Sequence, residues 1–385
     1  MPAQSVVIIR SSYSNYGGIE KIALDVIKAI LDHQIGVKLL TWDPKAWPIA
    51  HPRLQMIPIG MQKGPRLLQA VSFNNGVKSF LKRHRSECVF SFDRVTTFTH
   101  LHGGGGTHRT FLRIKNKRSS LPSRLFRRLS LFHRFTLHVE KEGLFNPHLQ
   151  KVQCASSLVK NDIVKDYDLP DEKLEVIPNG IDWHAMGTVF EQRREMANRL
   201  FNLHGLDPTR DYLLFLGSGW GRKGLDLAIQ GLAEMPVNYD LLVVGKGNAA
   251  PYKQLAEKQA LGHRIHYLGP QEKGWVYSAL CKALVLPSLY EPFGIAPAEA
   301  NAMGIPVLVS ERTGYRDWIS EGENGVALNL PADQQAITDA FSRLLRVIES
   351  PTLSAQQIRE RAKLLDHEAL MHHLLFDFLE LKPNP

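Results

Sequence analysis

Short, unbroken apolar runs that end in glycine or proline and lead into stretches of helical period recur along this 385-residue chain. The runs at residues 213–216, 241–244 and 283–286, with the apolar centre of 5–10 and the more mixed stretch 264–268, are too brief for helices. The wholly apolar ones are continuous rather than alternating, which predicts strands covered on both faces. Behind the first, residues 19–32 place Ile22, Val26, Ala29 and Ile30 on one helical face. Behind two others, helices are expected at 225–233 and 296–303. Further strands are expected at 37–42, 54–59, 88–92, 152–155 and 174–177, and residues 354–381 read as a helix or a broken helix. Strand, glycine and helix repeated in this way predict an α/β fold with doubly wound parallel sheets, whose ligands bind at the carboxyl ends of the strands. The length favours two domains, with a hinge where Pro178, Asn179, Gly180, Ile181 and Asp182 punctuate the pattern.

Candidate chemistry concentrates at the strand ends of the C-terminal half. The run 283–286 is stopped by Pro287, then Glu291, Phe293, Gly294 and Ile295 precede a helix carrying Glu299. Amides at such a helix start are unpaired and bear partial positive charge, so they suit a phosphate. Glu291 is placed to bond sugar hydroxyls and Glu299 to take the two hydroxyls of a nucleotide ribose; the same residues also read as a capping carboxylate and an exposed helix glutamate. The run 213–216 opens into Gly217, Ser218, Gly219, Trp220, Gly221, Arg222, Lys223 and Gly224. Glycines admit a close backbone approach, and Arg222 and Lys223 offer charge-assisted bonds to a diphosphate. This is not a Walker A loop, because no Ser or Thr follows the lysine. Gly245 and Gly269 end two more strands.

With these motifs the chain resembles the retaining glycosyltransferases of family 4, which have the two-domain GT-B architecture. The likeness runs from Gly17 and Gly18, through 178–182, 222–224 and the pair Glu291 and Glu299, to 304–307 and 322–325. Within the family it looks closest to lipopolysaccharide core glucosyltransferases that add glucose to a heptose, through Gly103 to Gly106, Thr107, His108 and Arg109, the stretch 140–145, and the glycine, arginine, lysine, glycine form of the phosphate loop. The resemblance implies two Rossmann-like domains facing a central cleft: an acceptor-binding domain at 1–180, a nucleotide-sugar-binding domain at 181–360, and a helix at 361–385 crossing back to the first. It implies that Gly17 and Gly18 approach the donor phosphate and sugar, and that Lys223 neutralises the diphosphate with Arg222. Gly217 and Gly245 would line the donor, the amides of Phe293, Gly294 and Ile295 the sugar and phosphate, with Glu291 on the sugar and Glu299 on the ribose. His102 falls where relatives keep a group against the reacting carbon. Ser218 departs from the family, many members of which have arginine there.

Charge bears on the acceptor. Between Asp93 and Glu140 there is no carboxylate, while Arg94, Arg109, Arg113, Lys115, Lys117, Arg118, Arg124, Arg127, Arg128 and Arg134 supply ten cations, more than the whole chain's net charge of +9. Phe111, Leu121, Leu125, Phe126 and Leu129 are interleaved with them. Within 109–134 part of the stretch therefore reads as a basic amphipathic helix suited to an anionic membrane surface, or as a solvated helix face. His108, Arg109, Arg113, Lys115, Lys117, Arg118, Arg124, Arg127 and Arg128 are the candidate acceptor and membrane contacts. Nucleic acid is not expected, since the aromatic platforms and modules of its binders are missing. His100, His102 and His108 bracket four glycines that would hold a metal poorly, so no metal or cofactor is expected. Cys88, Cys154 and Cys281 have neither disulfide nor zinc spacing, and no run reaches the ~18 apolar residues of a membrane span. The expectation is a cytoplasmic enzyme, peripheral to the inner face of the membrane, moving a hexose, expected to be glucose from UDP-glucose, to a lipid-anchored glycan. An epimerase or phosphorylase of the same architecture and a non-catalytic membrane-associated binding protein remain as other readings.

Overall fold

The computed structural model describes residues 5–14, 18–117 and 121–382. The chain divides into two compact units, Met1–Asn179 with Glu368–Pro385, and Gly180–His367. The return to the first unit thus begins at residue 368, where the sequence suggested 361.

The first unit holds a parallel sheet of β1 (Ser5–Ile9), β2 (Gly36–Thr41), β3 (Leu54–Pro58), β4 (Val89–Ser91), β5 (His100–His102), β6 (Lys151–Cys154) and β7 (Leu174–Val176), in the order β3-β2-β1-β4-β5-β6-β7. Its central strand shows why the apolar runs are continuous. Val6 and Ile8 point to one face, against Val26, Ile27 and Ile30 of helix Gly18–Asp32 and against Leu374, Leu375 and Phe378 of the returning segment. Val7 and Ile9 point to the other, against Phe73 and Val77 of helix Arg66–Arg83 and Val159 and Ile163 of helix Ser157–Tyr167. Each such aliphatic side chain contributes about 1.5–3 kcal/mol on full burial, so all four interior positions of the strand, Val6 to Ile9, are apolar. Residues 354–381 form a broken helix, with pieces at Ala355–Arg361, Ala362–Leu365, His367–His373 and Leu374–Phe378.

The second unit repeats the plan with β8 (Asp211–Leu216), β9 (Tyr239–Val244), β10 (Ile265–Gly269), β11 (Ala283–Leu286), β12 (Val307–Ser310) and β13 (Gly325–Leu328), ordered β10-β9-β8-β11-β12-β13 and all parallel. Neighbours β8 and β11 are distant in sequence, and their pairing brings the phosphate-type loop beside the Glu291 turn. Both strand orders reverse direction at the central strand, the switch point at which a crevice opens beyond the carboxyl ends.

Strands β5, β12 and β13 were not among those expected. The pairing of β5 with β4 and β6 carries three residues with two polar side chains, too few to register as a run. The stretch 109–134, part of which was expected to form a basic amphipathic helix, carries His108–Lys117, Leu121–Leu129 and the start of Leu131–Leu144. Ser130 caps the third by accepting a bond from the His133 amide at 3.4 Å. Among the described residues no helix is long and apolar enough to cross a membrane.

Candidate active site

In the second unit Arg222 and Lys223 end the short helix Trp220–Lys223 beyond β8. Lys223 Nζ donates to Glu291 Oε2 at 2.7 Å, and Arg222 donates to the same oxygen and to the carbonyl of Tyr290, both at 2.8 Å. The Glu291 carboxylate is only 15% exposed. Burial opposes its ionisation, but Lys223 and Arg222 outweigh burial and hold its carboxyl below the ordinary value. Two cations and one carboxylate oxygen therefore converge at the carboxyl ends of β8 and β11. The packing leaves little slack: a Cβ at Gly217, where φ is +139°, would sit 2.8 Å from Lys223 Cδ.

Helix Ile295–Ala302 starts directly after this cluster, with Gly294 as its cap at φ +106°. Its first amides, with those of buried Phe293 and of Gly294, lie on the same turn as Glu291. The turn is fixed from outside, since Glu291 N donates to the Arg312 carbonyl at 2.9 Å and Gly314 N to the Glu291 carbonyl at 2.8 Å. Glu299 lies half-buried within the first turns of that helix. Gly245 follows β9, donating from its amide to the Gly269 carbonyl at 2.8 Å, and so binds two strand ends together. Two contributors escaped the sequence reading. The Ser218 hydroxyl accepts from the Lys246 amide at 3.1 Å, tying the loop after β8 to the loop after β9. Trp220, buried, donates from its indole to the Gly217 carbonyl at 3.1 Å. The signal for Trp220 was its place inside a glycine-rich loop, and Ser218 stood out only as a departure from the family's arginine.

In the first unit Gly18 opens helix Gly18–Asp32, while Gly17 lies outside the described residues. Arg10, at the end of β1, bonds Glu20 in that helix at 2.7 Å and Asp93 beyond β4 at 2.6 Å. His102 ends β5 with its ring buried and Nδ1 2.7 Å from Gln153 Oε1. Burial, with a further contribution from Arg10, brings its pKa down to about 4 despite the bond to Gln153. The three histidines turn to different neighbours, His100 to Thr99, His102 to Gln153 and His108 to His133.

The basic segment separates into two kinds of cation. Arg109 donates to the Asp166 carbonyl at 3.0 Å and lies over the Tyr167 ring, and Arg113 is paired with the Asp166 carboxylate. Asp166 also accepts from Thr107 at 2.6 Å and Thr110 at 2.9 Å. Glu140, equally buried, accepts from Tyr167 at 2.5 Å, from the His108 amide at 2.6 Å and from Arg94 at 2.7 Å. These bonds anchor the start of helix His108–Lys117. Lys115 lies over Phe111, Lys117 ends the helix, and Arg118 is outside the described residues. Beyond it, Arg127 bonds Asn116 at 2.9 Å. Arg124 and Arg128 are exposed beside Leu121, Leu125, Phe126 and Leu129, of which Leu121 is 77% and Phe126 78% exposed.

Known proteins match both units. The domain described as glycosyltransferase family 4 matches residues 16–184, and that described as glycosyl transferases group 1 matches residues 197–364. The lipopolysaccharide glucosyltransferase WaaG of Escherichia coli K12 is 23% identical over 343 residues, covering 86% of this chain and 87% of its own. The crystal structure of WaaG, described as a glycosyltransferase involved in lipopolysaccharide biosynthesis, superposes with a TM-score of 0.77 over 95% of this chain and 97% of that one, at 20% identity. HepE of Anabaena in complex with UDP-glucose superposes with a TM-score of 0.68 over 98% and 100%, at 15% identity. At these identities the two structures show a shared fold.

Proposed function

Since this chain belongs to glycosyltransferase family 4, we propose that it moves glucose from UDP-glucose to a lipid-anchored glycan of the lipopolysaccharide inner-core kind, with the anomeric configuration kept. The observation that carries this reading is the convergence of Lys223 and Arg222 on Glu291 at the start of helix Ile295–Ala302. It is supported by the similarity to WaaG, a lipopolysaccharide glucosyltransferase, and by the UDP-glucose bound to HepE.

In this account the diphosphate lies against Lys223, Arg222 and the amides of Phe293, Gly294 and Ile295, beside Gly217 and Gly245. Glu291 takes a hydroxyl of the sugar and Glu299 the ribose. The bond from the anomeric carbon to the diphosphate breaks as the acceptor oxygen attacks from the same face, and the departing diphosphate takes the acceptor's proton. Charge growing on the leaving group is met by donors already in place, an effect worth roughly 3–4 kcal/mol for each donor lost. Transfer is accordingly proposed to proceed without a divalent ion, and activity retained in chelator would support this.

The acceptor's lipid brings the enzyme to the inner face of the cytoplasmic membrane. The exposed apolar side chains of helix Leu121–Leu129, beside Arg124 and Arg128, support a peripheral contact with an anionic bilayer. Nucleotide release from UDP-, GDP- and ADP-sugars, with and without purified core glycolipid, tests the whole reading. Release from UDP-glucose that depends on the glycolipid is expected. Nucleotide release without any acceptor would point to hydrolysis, conversion of the donor with no net release to an epimerase, and no release with any donor would refute a transferase.

A further inference from the structure

His102 and Gln153 are register partners on β5 and β6, and both side chains are buried, 5% and 3% exposed. The Gln153 amide nitrogen donates to the Ile177 carbonyl at 3.1 Å, and its oxygen lies 2.7 Å from His102 Nδ1. A carbonyl only accepts, so the bond to Ile177 fixes which way round the amide lies. The amide oxygen must then face the imidazole, and it too can only accept. Nδ1 therefore carries the proton, and in the neutral ring the lone pair belongs to Nε2.

That lone pair has no hydrogen-bond partner among the described residues, although the atom is buried. Leaving such an acceptor unpaired costs about 1–3 kcal/mol, which is unusual in a position this well packed. Gly104 lies over it so closely that a Cβ there would come within 2.2 Å of Nε2. With Gly103, Gly105 and Gly106, His102 lines a cavity of the first unit whose other walls are apolar side chains such as Ile19 and Phe92 together with Asp93, Arg94, Thr107 and Glu140.

We propose that Gln153 is a positioning residue that locks His102 in the tautomer whose Nε2 accepts a hydrogen bond, and that the group it accepts from is a sugar hydroxyl. The proposal rests on the glycosyltransferase reading for the identity of the ligand and on the hydrogen bonds alone for the tautomer. A neutral acceptor suits a hydroxyl and rejects an ionised phosphate or carboxylate, neither of which has a proton to give. The charges around the ring keep it neutral. Arg10 is held by Asp93 and Glu20, and Arg94 by Glu140, so the nearby carboxylates are occupied with arginines.

Nitrogen NMR of the full-length protein labelled at histidine reads the tautomer directly. At neutral pH, His102 is expected to show a protonated Nδ1 and an unprotonated Nε2. A protonated Nε2 would overturn the proposal whether or not the enzyme transfers sugar. Titrating the labelled protein with UDP-glucose, with core glycolipid and with UDP separates the sources of the hydroxyl. One of the sugar-bearing ligands should move the Nε2 resonance while UDP leaves it in place; no movement with either would refute the ligand assignment. Gln153→Glu, nearly the same shape, puts a carboxylate on Nδ1 and draws a second proton onto the ring. Its kcat/KM should fall roughly tenfold to a hundredfold, with an acidic limb that moves up in pH; the bond to the Ile177 carbonyl is lost as well, so both are read at a temperature where circular dichroism shows the variant folded. An unaltered rate and pH profile in that variant would contradict it.

Discussion

In the second unit two cations share one carboxylate oxygen of Glu291, whereas in the first unit the buried carboxylates Glu140 and Asp166 are each surrounded by several donors. Both clusters lie near strand ends of the same kind of sheet, yet they are suited to different work. A diphosphate has oxygens enough to compete with a single carboxylate for Lys223 and Arg222, so those cations can be handed to a ligand. No incoming anion can replace Asp166, which accepts from Thr107, Thr110 and Arg113 together, so that cluster holds a helix in place. What distinguishes a binding cation from a structural one is how many bonds its partner carries.

Acid should act most strongly, and on the first unit. His100, His102 and His108 all have pKa values brought down to about 4, chiefly by burial. The unfolded chain binds these protons near pH 6.5 and the folded one does not, so stability present above pH 6.5 is lost as pH falls toward 4. Hydrogen exchange should show β5 opening before β8 as pH is lowered; opening of β8 first would break the distinction. Next in size is Asp166→Ala. Removing one partner of a buried ion pair costs about 3–5 kcal/mol, which urea unfolding would report, and a loss below 1 kcal/mol would mean that the cluster is not structural. Lys223→Ala should leave stability nearly unchanged but lower kcat/KM by about 10²–10³, one preorganised donor's worth. Smallest is the paired change Arg124→Ser with Arg128→Ser. At about 1 kcal/mol for each cation near an anionic surface, vesicle sedimentation should weaken by roughly 2 kcal/mol, while Arg113, already paired with Asp166, should matter less to it.

Much of the second unit's cluster was legible in the sequence because each of its parts ends an apolar strand, and strand ends on one edge of a parallel sheet face the same way. The meeting of Lys223 with Glu291, 68 residues apart, follows from the adjacency of β8 and β11. The first unit resisted the same reading. Arg109 and Arg113 carry no mark in sequence that sets them apart from Arg124 and Arg128, because their partner Asp166 is more than 50 residues away and belongs to another helix. Strand β5 was hidden by its brevity, and with it the register that places Gln153 beside His102. Ser218 was noticed only as a missing arginine, and its bond to Lys246 needed the three-dimensional neighbour.

The most direct test of the central claim is calorimetric titration of UDP into the wild-type protein, Lys223→Ala and Glu291→Gln. Lys223→Ala should bind UDP at least tenfold more weakly, through loss of a charge-assisted bond worth about 1.5–3 kcal/mol. Glu291→Gln should bind it more tightly, because the competing carboxylate is gone, while still losing sugar transfer. Equal UDP affinity in all three proteins would contradict the assignment of this cluster to the diphosphate.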